Sequence, residues 1–123
     1  MKNCLIPLAA IMSLLAVLPG CYYDVEEELY PNTGCDTLDV GYATTIAPII
    51  EDNCMNCHNA AANFGNVTLE GHNNLKTYAD NGQLLGVIRH ESGFPAMPQG
   101  APQLVDCTIE KIEKWVNDGA PDN

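Results

Sequence analysis

Cys54-Met55-Asn56-Cys57-His58 decides how this chain reads. Two cysteines with a two-residue gap sit about one helical turn apart, so both thiols can meet one edge of a single planar group. C-x-x-C-H is the attachment pattern of c-type haem. Each thiol adds across a haem vinyl group, and the histidine behind the pair is placed under the porphyrin, where its imidazole can bind iron. Upstream, Thr44 or Thr45 can cap a helix whose apolar residues Ile46, Ile49 and Ile50 follow the i, i+3, i+4 spacing. Pro48 is tolerated in the first turn, where its missing N–H has no intrahelical partner. The helix runs directly into Cys54.

Downstream, the Asn-, Ala- and Gly-rich run to Asn66 reads as a loop, followed by an extended piece at Val67 to Leu69. Asn73 or Asn74 can cap a helix containing Leu75, Tyr78 and Ala79, and a further short helix carries Leu84, Leu85, Val87 and Ile88. The last helix has Asp106 as its expected N-cap and an apolar stripe of Ile109, Ile112, Trp115 and Val116. Gly119 supplies its stop, with Pro121 beyond. No strong β-alternation, internal repeat or low-complexity tract competes, so the expected fold class is all-α, a small helical domain in which the first and last helices pack together near the haem.

The other four cysteines divide by position. Lys2 and the apolar stretch Leu5 to Leu18 form a signal peptide, too short for the roughly 20 apolar residues that span a bilayer. Leu18-Pro19-Gly20-Cys21 resembles a bacterial lipobox, with cleavage after residue 20 and lipid on Cys21; a soluble secreted protein cut nearby is the alternative. Cys4 is discarded in either case. Residues 21–35 form the lipidated N-terminus and an acidic tether, and residues 36–123 the domain proper. Export to an oxidising compartment favours a disulfide between Cys35 and Cys107 over two free thiols. Such a bridge closes a loop around nearly the whole domain, worth roughly 4 kcal/mol by chain entropy.

Five Lys and Arg against sixteen Asp and Glu give a formal charge of −11. Cleavage would remove Lys2 and no acidic residue. A surface this acidic argues against nucleic acid and against electrostatic binding to anionic lipid. A redox partner would dock through a basic face, although the charge also serves solubility alone. The acidic residues soon after Cys21 resemble surface-export signals of lipoproteins, and Tyr22 is not the aspartate that retains many at the inner membrane. The expected location is therefore the cell envelope, lipid-anchored and periplasm-facing or surface-exposed, with the outer membrane favoured by resemblance.

A thioether or a second imidazole is the usual ligand opposite histidine. Met97, within Phe94-Pro95-Ala96-Met97-Pro98, is the one serious sulfur candidate. Prolines on both sides stiffen its loop. Met1 and Met12 leave with the signal, and Met55 lies inside the attachment motif. Ordinary core packing is the alternative role for Met97. His90 is a rival ligand, His72 reads as an exposed turn residue, and Arg89 can pair with a haem propionate or simply be solvated.

The attachment motif, the Met97-Pro98 pair and the ending Ile112-Glu-Lys-Trp115-Val-Asn-Asp-Gly119-Ala120-Pro121 together resemble a small monohaem cytochrome c. They are most similar to the cytochrome c-like lipoproteins of Bacteroidetes-type bacteria, over about residues 36–123. The resemblance implies a helical cytochrome c fold, one covalent haem c on Cys54 and Cys57, and axial ligation of iron by His58 and Met97. It departs where a proline commonly follows the motif and orients the proximal histidine, since residues 59–66 contain none. The expected function is that of a membrane-tethered carrier of single electrons between redox proteins, not an enzyme. Leu84, Leu85, Ile88, Phe94 and Trp115 are the expected pocket lining. A haem sensor or peroxidase-like enzyme with an open or labile distal site is the alternative. Without haem, Cys54 and Cys57 could form a thiol redox pair, or ligate zinc with His58.

Overall fold

Gly41 is extended (φ −93°, ψ 153°), and from Tyr42 the chain is helical. A π-turn over Tyr42–Ile46 passes into α1, Ala47–Asn53, with Pro48 in the first turn as its missing donor requires. These coordinates come from a computed structural model that describes residues 34–123. The expected signal segment, the expected lipidation site at Cys21 and the expected tether up to residue 33 lie outside the described residues. At Cys54 the backbone bends (φ −123°, ψ −33°), and Met55–His58 form the short α2. The hydrogen-bond ladder continues across the bend, from the Cys54 amide to the Ile50 carbonyl and from the His58 amide to the Cys54 carbonyl.

The helix start differs from expectation. Neither Thr44 nor Thr45 caps it. The Tyr42 amide donates to Asn123 Oδ1 at 2.8 Å, and the Ala43 amide donates to the Asn123 carbonyl at 2.8 Å. The orphan donors of a first helical turn need acceptors, and here a residue 81 positions away supplies them.

A 3-10 turn, Phe64–Asn66, interrupts the loop after α2. α3 spans His72–Asp80, beginning ahead of the expected Asn73 or Asn74 cap, and α4 spans Gln83–Ile88. α5 is Asp106–Asn117, with Val105 rather than Asp106 at the N-cap. Among the described residues the structure contains helices and turns and no strands, so the all-α expectation holds at that level.

The core is one cluster built from the anticipated stripes. Ile46 and Ile50, Leu75 and Ala79, Leu84 and Ile88, and Ile109, Ile112 and Trp115 are all buried. Burying a large aliphatic or aromatic side chain stabilises by about 1.5–3 kcal/mol, so these rows hold the helices together. The π-turn packs on α5, and α4 packs on both α3 and α5. α5 ends in a Schellman motif: Gly119 has φ +91°, its amide donates to the Val116 carbonyl, and the Ala120 amide donates to the Trp115 carbonyl.

Trp115 is fully buried away from the position expected for it. It lies beside Tyr42, ring centroids 6.0 Å apart, and its indole N–H donates to the Pro121 carbonyl at 2.9 Å. His72 completes this aromatic group. Its ring meets Tyr42 edge-on at 4.9 Å, its Nε2 pairs with the Ala120 carbonyl at 2.9 Å, and its side chain is only 13% exposed. The expectation of an exposed His72 is thereby corrected: the turn brings the ring inward over the chain end. Cys35 and Cys107 lie at disulfide distance, Cα atoms 5.2 Å apart, and join the N-terminal segment to the start of α5.

Candidate functional site

A cavity of about 600 Å³ opens beside α2, within the size range of sites that hold small molecules and cofactors. Cys54, Cys57, His58 and Met97 all line it. The first three are placed by the single turn of α2, and Met97 comes from the loop between α4 and α5. Leu84, Val87 and Ile88 of α4, with Leu69 and Leu104, supply an apolar wall, and Phe64 and Phe94 lie toward its exposed side. Its polar side chains include the amides of Asn53, Asn56, Gln83 and Gln99, and no Asp, Glu, Lys or Arg lines it.

Two expected lining residues are absent from this wall. Leu85 lies half-buried against the core, and Trp115 sits in the aromatic group under the C-terminal segment. A helical stripe says which face is buried but not which neighbour it is buried against. Val67, Tyr78 and Leu104 line the cavity without having been singled out for it. Arg89 is not in the wall either. Its guanidinium is held by Glu113 of α5 and by Glu91 at 3.3 Å, and the Glu113 hydrogen bond, foremost, keeps its pKa above the ordinary arginine value.

The orientation of His58 has an explanation that side-chain types could not give. Its Nδ1 lies 3.2 Å from the Val67 carbonyl, and the Leu69 amide donates back to the His58 carbonyl at 2.8 Å. With Nδ1–H donating to a carbonyl, the neutral ring presents Nε2 as the free lone pair, the tautomer a metal-binding histidine needs. The extended piece at Val67 to Leu69 thus takes the role for which residues 59–66 hold no proline.

Met97 is fixed at the backbone. Its amide donates to the Val87 carbonyl at 3.0 Å, and its carbonyl pairs with the His90 ring at 3.0 Å. The Met97–Pro98 peptide is cis. His90 itself is exposed and does not line the cavity.

Haem and its haem-free alternatives ask different things of these donors. Burial pushes the Cys54 thiol up to about 11, whereas reactive redox thiols are held low by nearby positive charge or a helix N-terminus. Cys35 and Cys107 are engaged with each other and so do not complete a tetrahedral zinc site with Cys54, Cys57 and His58. Among the described residues no group of three or more His, Cys, Asp and Glu side chains, the motif's own included, is placed to hold a metal ion. A second hollow, about 470 Å³ and lined by Glu51, Met55, Asn56, Asn59 and Glu70, is polar and contains none of the motif cysteines or His58.

The donors present suit a haem: two thiols and an imidazole on one turn, one thioether from a separate loop, and apolar walls between them. Comparisons with protein-family models, with curated proteins and with solved structures found no match to this chain. Among the described residues no helix is long and apolar enough to cross a membrane.

Proposed function

We propose that the protein is a monohaem c-type cytochrome that carries single electrons between redox proteins of the cell envelope, tethered through a lipid on Cys21. The observation that carries this reading is the meeting of Cys54, Cys57, His58 and Met97 on one largely apolar cavity. Cys54 and Cys57 would hold the haem covalently, and His58 and Met97 would bind its iron. When bound, the haem supplies one-electron chemistry between Fe(II) and Fe(III).

The chain's own residues set how that chemistry runs. The Val67 carbonyl holds His58 in its ligating tautomer. Leu84, Val87, Ile88 and Leu104 would place apolar side chains against the haem, and low polarity there favours the less charged reduced state. A methionine ligand raises the potential relative to a second histidine. If His58 and Met97 both bind the iron, no site for substrate would remain there, which would favour a carrier over an enzyme. The peroxidase-like alternative needs an acid–base group in the cavity. His90, its candidate, is outside the wall and tied to the Met97 carbonyl. The acidic composition supports partners with basic docking faces.

The test is an optical spectrum, oxidised and reduced, of protein matured with haem-attachment machinery. A low-spin spectrum with a weak far-red sulfur-to-iron band, lost in Met97→Ala, is expected. A high-spin ferrous form that binds carbon monoxide at once in the wild-type protein would replace the carrier with a sensor or enzyme.

A further inference from the structure

α4 and α5 end in the same way, and the difference between the two ends points to a role for His90. In both, a residue with positive φ sits just past the helix, and two amides reach back to the last carbonyls. At α5 the amides are those of Gly119 and Ala120. At α4 the His90 amide donates to the Val87 carbonyl at 3.4 Å, and the Glu91 amide to the Gly86 carbonyl at 3.0 Å. Glycine is the usual occupant of the left-handed position because it has no Cβ, and α5 uses Gly119 there. α4 instead carries His90 at φ +53°. A side chain kept where glycine is easier suggests that the side chain itself is used.

The use is visible. The His90 ring crosses the loop and its Nε2 lies 3.0 Å from the Met97 carbonyl. The Met97 amide is held from the other direction by the Val87 carbonyl, the same acceptor that closes the helix end. Both backbone groups of Met97 are therefore fixed to the C-terminal end of α4, whose Leu84, Val87 and Ile88 line the cavity.

We propose that His90 is a positioning residue, which holds the Met97 backbone so that its sulfur stays at the cavity and keeps the distal face of the iron closed. This rests on the haem reading above. His90 acts through Met97 and does not touch the iron. It is thus neither the rival ligand nor the acid–base group of a peroxidase.

The test compares full-length holoprotein with His90→Gly. Glycine suits the left-handed backbone, so this variant keeps the helix end while deleting the ring, and a merely structural histidine would be replaced without loss. Two measurements are made. The first is hydrogen exchange at the Met97 amide, which does not depend on any ligand at iron. The second is the affinity of the ferric protein for exogenous imidazole, which must displace Met97. The expected result is a melting temperature equal to or above wild type, faster Met97 exchange, and an imidazole affinity raised about two- to tenfold, the scale of one net hydrogen bond. Unchanged exchange and unchanged imidazole affinity would overturn the assignment to His90. Faster Met97 exchange with an imidazole affinity that Met97→Ala also leaves unchanged would show that His90 holds the loop but that Met97 is not the ligand. That outcome removes the haem-ligation reading, and the proposed role falls with it.

Discussion

Gly86 is where a single methyl group would disturb the cavity, and the size of the effect can be worked out. A Cβ built there meets Phe94 ring carbons Cδ2, Cε2 and Cγ at 2.6, 2.7 and 2.7 Å. Ordinary contact begins near 3.4 Å, so the ring face must retreat by about 0.8 Å at its closest carbon. Three ring atoms are involved, including the one nearest the backbone, so a small rotation of the side chain does not clear the clash. Overpacking of this kind costs about 1–3 kcal/mol. Against it stands the helix preference for alanine over glycine, about 1 kcal/mol. The net expectation for Gly86→Ala is a loss of about 0–2 kcal/mol. Phe94 is 38% exposed and can yield outward, which favours the lower half. The sharper expectation concerns sign. In a Phe94→Ala background the clash is gone and only the helix preference remains, so Gly86→Ala should then stabilise by about 1 kcal/mol. Urea unfolding of the wild type, both single variants and the double variant measures the coupling. An equal effect of Gly86→Ala in both backgrounds would refute the idea that the glycine is there to seat the Phe94 ring.

Other perturbations separate the remaining parts. Replacing both Cys35 and Cys107 by serine releases a loop spanning 72 residues and should lower stability by about 4 kcal/mol, a melting shift of roughly 15–30 °C. A shift under about 5 °C would mean that other contacts already hold these segments. Asn123→Ala removes the side-chain cap on Tyr42 but leaves the carbonyl that caps Ala43. A loss of about 1 kcal/mol with faster exchange at Tyr42 is expected, and equal acceleration at Ala43 would speak against two separate caps. In the polypeptide alone, burial raises the Cys54 thiol pKa from 9.0 to about 11. Its alkylation rate should therefore still climb between pH 10 and 11, where an exposed thiol has levelled off; a plateau by pH 10 would contradict its burial. The same shift means that the folded state holds the proton more tightly. Its contribution to stability is complete below pH 9 and is lost as pH rises through about 11.

Much of the helical frame can be read from spacing alone. Ile46 and Ile50, Leu75 and Ala79, and Ile109, Ile112 and Trp115 show their buried faces as i, i+3, i+4 rows, because a helix packed on one side repeats with that period. Gly119 marks the end of α5 for a steric reason that any sequence displays. What spacing does not carry is the identity of the neighbour. Trp115 is buried as expected but against Tyr42 and His72, and Asn123 caps a helix at the far end of the chain. Backbone partners are silent for a different reason. The Val67 carbonyl that orients His58 exists at every position in every protein, so no residue type announces it. His90 is an intermediate case. A histidine seven residues before a methionine suggests a rival ligand, and only the left-handed backbone and the ring contact with the Met97 carbonyl give it another task.

The most direct measurement is the intact mass, under denaturing conditions, of protein matured with haem-attachment machinery and then treated with an alkylating agent. One covalent haem should survive denaturation, with Cys54 and Cys57 both protected from alkylation and both required for the added mass. A protein of unmodified polypeptide mass, alkylated at Cys54 and Cys57, would contradict the assignment of this cavity to haem.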